Sequence, residues 1–220
     1  MSAPSPFLVL SVAAAAMLAS CASPDKVADT GEWIELQPGI MIDSARHLVA
    51  IDGSVAVDTH DPDTPHVYLE VVACTPDTRE HEALVVTPIT PSSLHAALLA
   101  AGFEPGSDAT IDVRLEYDGR RDVPSSWITN AETGEAYPTD AYVFRGSRMV
   151  EFRGRPFYDA DGTGVVISLA TFPSAVIAPE RTFSPEASIE APVWIANAAN
   201  MPARTTPVRI VLSRPDGVRN

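Results

Sequence analysis

From Trp33 onward, apolar and polar side chains alternate in short runs separated by prolines or glycine-containing dipeptides. Alternation with a period of two marks half-buried strands. It predicts strands over residues 67–74, 81–87, 110–117, 126–130, 141–144, 149–152, 164–169 and 207–212. Within residues 47–58, Val49 and Ile51 are answered by Val55 and Val57 across Asp52-Gly53, which predicts a hairpin turning at that dipeptide. Further turns are expected at Asp118-Gly119, Thr133-Gly134, Arg145-Gly146, Arg153-Gly154 and Asp161-Gly162. One segment breaks to helical spacing. Leu94, Ala97, Leu98 and Ala101 share a face, Thr90 is placed as N-cap, Pro91 suits the first turn and Gly102 the exit. A helix is therefore predicted near residues 91–101, with a second, shorter one over 174–178. The expected class is α+β, dominated by an antiparallel sheet or sandwich. It would form one domain over residues 33–213, followed by a frayed tail at 214–220.

The amino-terminal block follows neither pattern. Residues 1–20 carry no charged side chain, and residues 7–18 (FLVLSVAAAAML) are almost wholly apolar. That run is shorter than the roughly 20 residues needed to cross a bilayer, but it fits the apolar core of a secretory signal. Leu18-Ala19-Ser20-Cys21 follows directly and resembles the bacterial lipobox, in which a cysteine is acylated and the chain is cut before it. Cys21 is thus the expected lipidation site, residues 1–20 the signal peptide and residues 21–32 a flexible tether. The first residues lack the usual Lys or Arg. Ala22 stands where Asp would signal inner-membrane retention, so the expected address is the cell envelope, at the outer membrane.

Charge narrows the partners. The chain carries −14, and the proposed signal peptide removes none of it. Such a surface argues against nucleic acid and against direct binding of anionic headgroups. The expected partners are the membrane, through the lipid, and other envelope proteins. With Cys21 acylated, Cys74 is the one thiol left, so no internal disulfide or CxxC pair is available.

The most informative stretch is residues 73–106: ACTPDTREHEALVVTPITPSSLHAALLAAGFEPG. Cys74, His81-Glu82, His95-Ala96-Ala97-Leu98-Leu99 and Pro105-Gly106 resemble the pattern of the YdjY-type domain of bacterial exported proteins. Looser matches follow at Trp127, Val143-Phe144, Gly146-Ser147, Tyr158, Ala160-Asp161 and Phe172-Pro173-Ser174-Ala175. The resemblance covers roughly residues 40–213, with an apparent insertion at 58–65 and Thr75 where the family often has proline. It implies a fold but no settled activity. Some relatives bearing the name hold iron–sulfur clusters on several cysteines. One usable thiol cannot do so, and that property does not transfer.

If residues 67–74 and 81–87 pair as a hairpin, Cys74 and His81 face each other with Cβ atoms ~5 Å apart. The first helical turn would bring His95 near. Cys74, His81, Glu82 and His95 would then offer ligands for zinc or another divalent metal. Alternation sends His81 and Glu82 to opposite faces, and buried cysteine is commonly a packing residue. The structural reading is therefore preferred, with no cofactor expected; a metal site is the alternative and a Cys/His nucleophile the weakest option. His60-Asp61-Pro62-Asp63-Thr64-Pro65-His66 is expected to be a solvated loop. Asp159-Ala160-Asp161-Gly162 begins like a calcium loop but lacks its later acidic positions, so a turn is expected there.

Overall fold

The computed structural model describes Met1 and residues 31–60, 66–106 and 108–215. Cys21, the proposed signal segment and most of the expected tether lie outside these residues, as do 61–65 and most of the expected tail. Among the described residues the strands are β1 (Ile34–Gln37), β2 (Ile40–Asp43), β3 (Leu48–Val55), β4 (Val71–Cys74), β5 (Ala83–Val86), β6 (Thr110–Tyr117), β7 (Arg120–Asp122), β8 (Ile128–Asn130), β9 (Tyr142–Phe144), β10 (Met149–Phe152), β11 (Arg155–Tyr158), β12 (Val165–Ser168), β13 (Ile177–Pro179), β14 (Trp194–Ala196) and β15 (Pro207–Ser213). The helices are α1 (Pro91–Ala100) and α2 (Asp159–Thr163), with single 3₁₀ turns at Glu80–Glu82 and Pro124–Trp127.

Following the hydrogen-bonded neighbours gives the order β3-β15-β6-β9-β13-β12-β4-β5, and β5 returns to pair with β3. The sheet closes into an eight-stranded barrel, so the α+β sandwich expected from the sequence is wrong. The closing pairs are Ser54 with Val86 and Val55 with Val85. Gly53 permits them: a Cβ there would lie 2.7 Å from a Val85 methyl carbon and 2.8 Å from the Val86 carbonyl oxygen. A glycine inside a strand often marks such a close backbone approach. Asp52-Gly53 is therefore the middle of one continuous strand, and the expected hairpin does not form there.

Two of the eight pairings are parallel, β4 with β5 and β12 with β13. Strands that are short and covered on both faces read as unbroken apolar runs, as VVAC, ALVV and VVIS do. Elsewhere alternation survives. In β6, Ile111, Val113, Leu115 and Tyr117 are buried, and in β15, Val208, Ile210 and Leu212. They fill the barrel, as side chains can in one of eight strands. α1 adds Leu94, Ala97 and Leu98 to the same core against β2, β3 and β12. Each leucine buried this fully contributes about 1.5–3 kcal/mol.

α1 starts as expected, with the Thr90 hydroxyl accepting the Ser93 N–H, and ends before Gly102 at φ +85°. Two other expectations fail. Residues 159–163 form α2 rather than a turn, and the Asp161 carboxylate accepts the Ser92 N–H at 2.8 Å, satisfying a donor in the first turn of α1. The segment expected as a second helix contributes β13 to the barrel wall instead.

Candidate functional site

The two conspicuous histidines and the cysteine sit in separate environments. β4 and β5 run parallel, with Cys74 opposite Val86 and Val71 opposite Ala83. The antiparallel hairpin expected to bring Cys74 against His81 is thus replaced by a crossover through Glu80–Glu82. That turn places His81 at the other end of the strand pair, on the order of 10 Å along it. The crossover can be this short because each strand has only four residues.

Cys74 is fully buried in a small cluster with Val71, Ala83, Val165 and Ala175, separate from the main core. Burial pushes its thiol up to about 11, although the Arg79 N–H and the Thr78 hydroxyl beside the sulfur pull the other way. At neutral pH this sulfur is a protonated packing atom, not a thiolate.

The crossover is stapled from within. The Glu80 carboxylate accepts the backbone N–H groups of Asp77 and Thr78, and Glu80's own N–H leads in holding that carboxyl below its usual range. Arg79 bridges Glu70, at 3.2 Å, and Glu82, while its guanidinium stacks 4.5 Å from the Phe172 ring centre. Burial, then the Glu82 charge, raises Glu70 above the usual carboxylate range. Glu82 is therefore a partner of Arg79, and His81 points outward with 77% of its side chain exposed. A hollow of about 430 Å³ opens here, lined by Asp77, Thr78, Arg79, His81 and Thr163 among others.

His95 is committed elsewhere. Its Nδ1 lies 2.8 Å from the Gly146 carbonyl and 2.7 Å from the Tyr158 hydroxyl, which donates to that same carbonyl at 2.7 Å. The ring meets Phe144 and Tyr158 edge-on at 5.1 and 5.6 Å. Burial raises the Tyr158 hydroxyl to about 12, so it remains a proton donor. Cys74, His81 and His95 do not converge. Among the described residues no group of three or more His, Cys, Asp or Glu side chains is placed to hold a metal ion.

Residues 40–213 match the model of the YdjY domain family. This chain belongs to the YdjY domain family. No curated protein and no solved structure matches it. The family name carries no activity, so chemistry rests on the residues of this YdjY domain themselves. A further groove, of about 740 Å³, lies where the β6–β7 turn approaches β3 and β15, with Asp52, Glu116, Arg121 and Arg209 on its walls. Four of its charges are paired: Arg209 with Asp52 at 2.9 Å, and Arg121 with Glu116. Exposed pairs of this kind contribute about 0–1 kcal/mol and shape the surface more than they hold it.

Nothing in the sequence marked Arg79 or Glu70, and Phe172 and Tyr158 stood out only as looser matches to the family pattern. Arg79 and its partner Glu82 both lie within the informative stretch, but its other partners come from 9 residues before it and from the distant loop holding Phe172. Tyr158 was visible as part of the family pattern, with nothing local to tie it to His95.

Proposed function

We propose that this YdjY-domain protein is exported, cut before Cys21, lipidated there and held at the envelope surface of the outer membrane. In this reading its domain is a non-catalytic binding or assembly module that works without a bound metal. The observation that carries the reading is the contrast between two cysteines. Cys21 follows an apolar run in Leu18-Ala19-Ser20-Cys21, where a thiol is expected to react. Cys74 is wholly buried, protonated and surrounded by Val71, Ala83 and Val165, where a thiol does no chemistry. One acyl chain binds a bilayer only marginally, whereas two or more give stable anchoring. The domain's partners are then other envelope proteins or the membrane surface within its reach.

Radiolabelled fatty acid supplied to cells making the full chain tests the anchor. Label is expected in the wild-type protein and absent from Cys21→Ser; label persisting in Cys21→Ser overturns it. Metal analysis of protein purified without a histidine tag tests the rest. A stoichiometric metal lost on Cys74→Ala contradicts a metal-free module.

A further inference from the structure

Among the described residues, the β10–β11 hairpin, a two-stranded sheet of its own, groups exposed apolar side chains away from the amino-terminal edge. Phe152 is 58% exposed and Phe157 38%, with Met149, 62% exposed, on the opposite face. The register pairs Phe152 with Arg155 and Val150 with Phe157, so these four side chains share one face. The two phenylalanine rings lie 6.2 Å apart, and the Arg153 guanidinium covers Phe152 at 5.1 Å. The turn has positive φ at both central residues, Arg153 (+53°) and Gly154 (+74°), the tight type I′ geometry. Its root is fixed by the Tyr158–Gly146–His95 contacts and by Arg148 on Asp159 at 2.8 Å. The arm is thus preorganised.

Its charge is opposite to that of the molecule. Between Arg145 and Tyr158 stand Arg145, Arg148, Arg153 and Arg155 against the single acid Glu151, in a chain of net charge −14. We propose that this hairpin is a membrane-contacting arm that seats Phe152 and Phe157 in an anionic phospholipid surface, with Arg153 and Arg155 on the headgroups. Apolar rings flanked by arginines suit the bilayer interface. The Debye length of about 8 Å at physiological salt screens the distant acidic surface, whereas arginines in contact with headgroups keep their attraction. The inference rests on the anchored reading for its setting: a tether of some twelve residues from Cys21 cannot hold the domain more than about 40 Å from the bilayer.

The test uses the full chain carrying Cys21→Ser, which removes acylation, and Phe152→Trp, which places an indole on the arm. The chain is mixed with vesicles of phosphatidylcholine alone or containing phosphatidylglycerol, with brominated acyl chains as quenchers. Against the same chain without Phe152→Trp, the added emission is expected to shift blue and be quenched only with phosphatidylglycerol. Adding Phe157→Ser should weaken this about tenfold or more, and Arg153→Gln or Arg155→Gln about fivefold each. The proposal is overturned by an unquenched indole, by equal quenching in both vesicles, or by indifference to these substitutions. Self-association that depends on Phe157, without vesicle binding, would make a second copy the occupant and overturn it as well. Because Cys21 is absent from this assay, failed fatty-acid labelling would end the anchored reading alone, and failed quenching the arm alone.

Discussion

At Gly53 a hydrogen atom stands where any other residue would put a carbon within 2.8 Å of the Val86 carbonyl oxygen. Backbone cannot yield there as a flexible side chain would, so Gly53→Ala must push β5 away from β3 at the seam that closes the barrel. The expected cost is about 1–3 kcal/mol, the usual range for overpacking. Urea unfolding measures it, and an unchanged midpoint would mean that the seam is looser than these distances say. The same residue explains a misreading. Asp52-Gly53 between alternating apolar residues is a strong hairpin signal, and glycine serves turns and close strand crossings equally well. Only the presence of Val85 and Val86 behind it separates the two, and they lie more than thirty residues away.

Among the elements, α1 was fully legible because everything defining it is local: Thr90, Pro91, the apolar face and Gly102. β6 and β10 were legible for the same reason. The direction of β5 was not. Val71-Val72-Ala73-Cys74 and Ala83-Leu84-Val85-Val86 are apolar on both faces, and such runs do not say whether the next strand pairs parallel or antiparallel. That ambiguity carried over to the candidate site, since facing Cys74 to His81 required the antiparallel choice. The β10–β11 arm depends on contacts from α1 that sequence spacing does not reveal. Tyr158→Phe removes the hydroxyl shared with Gly146 and His95, at a cost of about 1 kcal/mol. Hydrogen exchange should quicken across residues 149–157 while β6 and β15 keep their protection; unchanged exchange in the arm would mean that this contact does not fix its root.

For the whole molecule, closure and charge matter most. Among the described residues β3 and β5 close the eight-stranded wall, and Val113, Leu115, Ile210 and Leu212 fill its interior. Closure depends on β3 meeting β5, a long-range event that no window of sequence displays. Family membership over residues 40–213 was legible, because the most specific part of its pattern is local, within residues 73–106. In the proposed reading the chain's two cysteines divide their roles, Cys21 reacting and Cys74 packing. A peptide mass map of the protein taken from membranes, after alkylation in the folded state, tests this most directly. Expected are a first residue Cys21 carrying acyl groups and a Cys74 peptide of unmodified mass. An amino terminus still bearing residues 1–20, a bare Cys21, or an alkylated Cys74 would contradict it.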